Sequence, residues 1–166
     1  MDKNEEQRRL ELHAALLRVL DEAMKVDEAR CGKIRVYNPE SGSLEIRAQR
    51  GFSEDFVKSF AAVDPEDVVA CARAFRLRHR VTVPDVIADP QSIAYRRPAR
   101  DEGFKAMQST PLIGPSGHVV GTLSTHFPRI HHPSRAAGLV LDYCSTKAAA
   151  LIEAFILFHS PDAEQG

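Results

Sequence analysis

The chain has 166 residues, of which 43% are hydrophobic, a size and composition suited to one packed domain rather than a disordered tail. Its 22 Lys and Arg nearly balance 23 Asp and Glu, so a formal net charge of -1 offers no global attraction to nucleic acid or an acidic membrane surface. Cys31, Cys71 and Cys144 are odd in number and far apart, which argues against a disulfide framework or structural zinc and for a reducing, cytoplasmic setting.

The N-terminal MDKNEEQRRLELHAALL is charged from the start and lacks an apolar signal core, and the late apolar stretch AAALIEAFILF is short and interrupted by Glu153. No membrane anchor is expected. Residues 4 to 27 are predicted to form a helix with two apolar rows: Leu12, Leu16, Val19, Ala23 and Val26, then Leu10, Leu17, Leu20 and Met24. One row is enough to dock a helix. The second predicts contact with a C-terminal helix over about 133 to 158 and with the same helices of another subunit, through Leu10, Leu17, Leu20, Met24, Ile152 and Ile156.

Period two then takes over: KIRVY at 33 to 37 and SLEIRAQR at 43 to 50 flank a turn at 38 to 42, giving a first hairpin. Ser53 begins a short helix with Phe56, Val57 and Phe60, and Asp64-Pro65-Glu66-Asp67 reads as the start of a helix running to about Leu77. The charge run Arg73, Arg76 and Arg80 is expected to be a solvated face. RVTVPDV at 80 to 86 holds a short strand stopped at Pro84, and 87 to 103 is irregular with one helical segment. The second hairpin, 104 to 126, turns at Gly114-Pro115-Ser116-Gly117 and sets Met107 to Ser109 opposite Thr122 to Ser124, within a residue or two. Residues 1 to 5 and 160 to 166 are expected to be flexible ends of a single domain whose core spans about 10 to 158. Strands in antiparallel hairpins between helices indicate an α+β domain with one central sheet.

The sequences AQRGF (48 to 52), ACARAF (70 to 75), VTVPDVIADP (81 to 90), MQSTPLI and GHVVGTLSTHF occur in an order that resembles the GAF domain family, in particular GAF sensor domains of bacterial histidine kinases and related signalling proteins. The resemblance implies a PAS-like fold with a central six-stranded antiparallel sheet. It also implies terminal helices on one face and, on the other, a ligand pocket covered by helices and loops. Members of the family are small-molecule or chromophore sensors that commonly dimerise through the terminal helices. The Asn-Lys and Phe-Asp-Glu signature of cyclic-nucleotide-binding members is absent, and there is no Cys-His pair of the kind that anchors bilins. No haem or metal signature is seen either, and the cofactor is left open.

In this frame Cys71, Phe75, Tyr95, Arg96, Met107, Ser109, Ser124 and His126 are the ligand-site candidates. Cys71 is either a packed thiol or a redox or adduct sensor, and Ala72 follows it where related sensors often carry Gly. Arg96 and Arg97, beside Tyr95, could hold a carboxylate or phosphate. His126, His131 and His132 lack a carboxylate or Cys at ligand spacing, so His126 is read as a hydrogen-bonding residue at a strand end. A one-residue register slip exchanges the faces of Ser109, Thr110, Ser124 and Thr125, which leaves their orientation open.

The expected function is a small-molecule-binding regulatory domain, homodimeric and non-catalytic, coupled to a downstream signalling protein such as a histidine kinase or response regulator. Two alternatives stand beside it. One is a GAF-fold reductase of free methionine sulfoxide, for which the three cysteines are too dispersed to form a catalytic disulfide. The other is a ligand-free structural dimerisation module.

Overall fold

A computed structural model describes residues 2–159. Its first element, α1 (Lys3–Lys25), begins at the N-cap Asp2, whose carboxylate accepts from the Asn4 amide, with Glu5 and Glu6 in the first turn and Lys25 in the last. Residues 3 to 5, expected to be a flexible end, therefore belong to the helix. The remaining end, 160 to 166, lies outside the described residues.

β1 (Cys31–Asn38) and β2 (Ser43–Arg50) form the first hairpin, followed by α2 (Glu54–Ser59), β3 (Ala62–Val63), α3 (Ala70–Leu77) and β4 (Val81–Val83). A 3-10 turn (Pro90–Tyr95) leads into α4 (Arg96–Glu102), then β5 (Ala106–Ile113), β6 (Val119–Phe127) and α5 (Arg135–Phe158). The six strands make one antiparallel sheet in the order β3-β2-β1-β6-β5-β4. The architecture is α+β, as expected.

Two details differ from the sequence reading. The helix predicted from Asp64 starts at Ala70, because the Asp64 and Asp67 carboxylates accept from the amides of Glu66 (2.9 Å) and Val69 (3.1 Å) and hold turns in place of helix. Of the expected solvated face Arg76 is exposed, whereas Arg73 and Arg80 are half-buried, and all three are held by partners. Arg76 donates to the carbonyls of Pro65 and Asp67, Arg73 lies 3.5 Å from Asp89, and Arg80, past the helix end, donates to Thr110, the Gly138 carbonyl and Asp142.

α1 and α5 cover one face of the sheet. Leu16, Val19, Leu20 and Ala23 pack with Leu141, Cys144, Ala148, Ala149 and Ile152 over Ile34, Ala48, Leu112 and Leu123. Leu20 and Ile152 are therefore removed from the expected subunit interface: at 0% and 1% exposed they are interior to their own chain. Leu17 and Met24 are half-buried against the same cluster, whereas Leu10 and Ile156 stay exposed. The outer side of α5 also presents Leu139, Tyr143, Leu157 and Phe158. The correction has a plain cause: a sheet and a neighbouring helix bury more than one row of each helix, so the second apolar row is spent within the subunit.

Glu153, which interrupts an apolar stretch of the sequence, is buried and accepts from the Ser116 amide (2.9 Å) and hydroxyl (2.6 Å), clamping α5 to the β5–β6 turn. Replacing it by Ala leaves the Ser116 donors without their acceptor. Glu153→Ala should cost about 1–3 kcal/mol in urea unfolding, the worth of charged hydrogen bonds lost from a buried site. None of the described helices is long and apolar enough to cross a membrane.

Candidate functional site

Alternation along β1 sends Gly32, Ile34 and Val36 toward α1 and α5 and leaves Cys31, Lys33, Arg35 and Tyr37 on the opposite face. The register extends that second face across the sheet: Cys31 pairs with His126, Lys33 with Ser124, Arg35 with Thr122, and beyond them Met107 and Ser109 pair with His126 and Ser124. Ser109 and Ser124 thus face away from the terminal helices, while Thr110 and Thr125 share the side of Leu123. The face is roofed by Phe52, Phe56, Ala70 and Ala74, with Phe104, Val81 and Val83 on one flank and Leu44, Val69, Cys71 and Tyr95 on the other.

A strip of polar side chains is sealed beneath this roof. Lys33 (4% exposed) places Nζ 2.7 Å from Nε2 of His126, and the ammonium lies 5.2 Å from the Phe52 ring centroid. Arg35 (1% exposed) donates from Nη1 to the carbonyls of Leu44 (3.1 Å) and Ala61 (3.5 Å), while its Nε has no hydrogen-bond partner. Thr122 Oγ1, paired in register with Arg35, is unpartnered too. The Ser109 and Ser124 hydroxyls share a bond of 2.6 Å, and the His126 ring sits edge-on to Phe52 and Phe104 with a partnerless Nδ1.

Among the described residues no carboxylate stands within ion-pair distance of Lys33, Arg35 or His126. Burial, reinforced by the Arg35 charge, pulls the Lys33 ammonium from 10.5 down to about 7. Burial and the two neighbouring cations hold His126 well below its ordinary value, so its ring is neutral near neutral pH. Burial also raises the Tyr95 phenol and lifts the Cys31 thiol to about 11.

Of the expected site residues, Cys71, Tyr95, Met107, Ser109, Ser124 and His126 come together in this layer, with Cys71 and Tyr95 packed in one cluster on its flank. Phe75 stands at its edge against the Tyr37 ring (5.3 Å), and Arg96 begins α4 half-buried with Nε unpartnered. Lys33 and Arg35 are additions that the sequence reading does not contain, and Thr122, placed there in the second hairpin, joins the site beside them. His131 turns elsewhere, bonding Asp27 at 3.0 Å and stacking on Phe127, and no group of three His, Cys, Asp or Glu among the described residues could hold a metal. Cys31 and Cys71 flank the buried strip, whereas Cys144 is in the α1–α5 layer across the sheet, and all three are free. A separate recess of about 710 Å³ lies at the α1–α5 end of the sheet, lined by Leu12, Val36, Ile46, Val119 and Phe155 among others.

A family model described as GAF domain matches residues 9–153. Comparison with curated protein sequences yields no match. Among solved structures, the GAF domain region of a Geobacter sulfurreducens protein described as a membrane protein is 18% identical, with a TM-score of 0.76 over 89% of this chain and 97% of that one. A domain from a Sinorhizobium meliloti protein described as a two-component sensor histidine kinase is 17% identical, with a TM-score of 0.72 over 90% and 94%. The type II free methionine-R-sulfoxide reductase of Thermoplasma acidophilum is 19% identical, with a TM-score of 0.70 over 91% and 96%. These likenesses are of fold, and they span sensors and an enzyme alike.

Proposed function

The chain belongs to the GAF domain family, and on that premise we propose that it is a sensory module of bacterial signal transduction that binds a small molecule between its sheet and α2–α4. The observation that carries this reading is the sealed polar strip Lys33, Arg35, Ser109, Thr122, Ser124 and His126. The face toward α1 and α5 buries only neutral polar side chains, Gln108, Thr110 and Thr125, whereas this face buries two cations without a counter-charge, and each such group costs stability. Convergent polar groups within apolar walls are instead the usual make-up of a ligand site.

The proposed role is non-catalytic. A thiol pushed to about 11 is a poor nucleophile at neutral pH, and Cys144 is raised as well and stands on the far side of the sheet from Cys31, which supports binding rather than thiol redox chemistry. The signal would leave through α1 and α5, whose outward apolar side chains Leu10, Leu139 and Tyr143 supply a surface for a second copy of the chain. A histidine kinase or response regulator is the expected receiver. The ligand alters output only by the difference in its affinity for two arrangements of that helix pair.

Native mass spectrometry of the freshly purified protein, set against its denatured spectrum, tests both parts at once. A dimer carrying a discrete small mass is the expected result. A bare monomer that also shows no thermal shift across a general metabolite set would overturn the sensor reading.

A further inference from the structure

Building on the reading that this layer holds a ligand, we infer that the ligand is a small organic acid, with its carboxylate between Lys33 and Arg35 and its apolar body against Phe52, Phe56 and Met107. The two cations are alternate residues of one strand, so both project from the same face, and both are more than nine-tenths buried. Buried charges in proteins are ordinarily paired, because desolvating an ion without a counter-charge is costly. Arg73 shows the ordinary arrangement, with Asp89 3.5 Å away. Lys33 and Arg35 have only an imidazole nitrogen and two backbone carbonyls between them.

The idle groups nearby complete the case. Arg35 Nε is a donor with nothing to donate to, the Thr122 hydroxyl opposite it is unpartnered, and the paired hydroxyls of Ser109 and Ser124 are two residues further along the strands, on the same face. Donors in excess of acceptors call for an acceptor-rich guest. Guanidinium and ammonium groups bind carboxylates by charge-assisted hydrogen bonds, which a neutral guest cannot match and a cationic guest would oppose. The walls decide between an inorganic and an organic anion. Phe52 and Phe56 are stacked at 4.3 Å and Lys33 lies over both rings, so the anion's neighbour is apolar surface that a bare oxyanion would leave unsatisfied. The strip and its roof are closed to solvent, so entry requires α2 or α3 to move outward.

The test is thermal shift and calorimetry on the purified chain with acetate, butyrate, benzoate and pyruvate at millimolar concentration. The neutral amides acetamide, butyramide and benzamide, together with inorganic phosphate, serve as controls. At least one carboxylate should raise the melting temperature while its amide and phosphate do not. In Lys33→Met and Arg35→Gln that carboxylate should bind at least about tenfold more weakly, the loss of one charged hydrogen bond. Both variants should remain folded, and below pH 7 Lys33→Met should melt no lower than the ligand-free parent, since there it removes an uncompensated buried charge. The inference is overturned if no carboxylate acts, if an amide acts equally well, if phosphate alone acts, or if both variants respond like the parent. Stabilisation by neutral compounds alone would sink the organic-acid assignment and leave the sensor reading standing.

Discussion

Gly121→Val should prevent the chain from reaching its native fold, at a cost above about 3 kcal/mol, whereas Gly42→Ala should cost only about 1 kcal/mol. Both positions are glycine for different reasons. Gly121 lies in β6 opposite Val36, in the middle strand pair of the sheet, and any Cβ there would run into the backbone carbonyl of Arg35, with Val36 Cα 3.1 Å away. Neither obstacle is the free end of a side chain, so relief demands that β1 and β6 move apart. At Gly42 a Cβ would meet nothing within 4 Å, and only the positive φ of 67° resists substitution. Because Arg35 is the residue displaced, Gly121→Val should also abolish carboxylate binding in whatever folded fraction survives. Urea titration of the pair checks the ordering. Equal midpoints would mean that the sheet absorbs the close approach without loss.

The contrast between those glycines also marks what can be read from the sequence. The hairpins, the Ser53 helix, the strand ending before Pro84 and both terminal helices carry local signals: period, caps and turn residues. These signals act within a few residues, and the structure follows them. Lys33 and Arg35 escape such a reading because KIRVY alternates cleanly, so Ile34 and Val36 read as the core row and the charged row as solvent-facing. That pattern holds for a sheet with one wet face. Here helices cover both faces of the central strands, and the second alternating row becomes an interior too. The clue is present at the other end of the pairing, in the hydroxyls and imidazole of LSTHF, but only the strand order shows that β1 lies beside β6.

The same logic explains the uneven result for the terminal helices. Two apolar rows on α1 suggest one for the fold and one for a partner. Leu20 is wholly buried and Leu17 half-buried, however, because α1 touches both the sheet and α5 and so needs two rows within its own subunit. Periodicity reports which side chains avoid water. It does not say whether the same chain or another one provides the shelter.

Stability should rise with pH from about 6 to a maximum near pH 9, an unusual profile that follows from the buried cations. In the folded chain Lys33 loses its proton at about 7, and in the unfolded chain near 10.5. Between those values the unfolded state binds the extra proton, so the unfolding free energy climbs with pH, by up to about 1.4 kcal/mol per unit. Below pH 7 both states are charged and the full burial penalty stands. His126 acts in the same direction further down, since the unfolded imidazole takes up a proton below about 6.5 while the folded ring stays neutral. Cys31 acts oppositely above 9, where the unfolded thiol ionises and the folded one does not until about 11. Cys71 and Tyr95 are the other titratable side chains that flank the strip. Between pH 7 and 9 the gain should approach about 2–3 kcal/mol, or roughly 4–12 °C in melting temperature for a chain of this size. Lys33→Met should flatten that rise. A saturating carboxylate should flatten it as well, because an anion beside Lys33 restores the ammonium and raises its folded pKa toward the unfolded value. A parent protein whose melting temperature is level or falls from pH 7 to 9 would show that Lys33 keeps its proton in the folded chain, and with it a counter-charge or water access that the sealed strip does not provide.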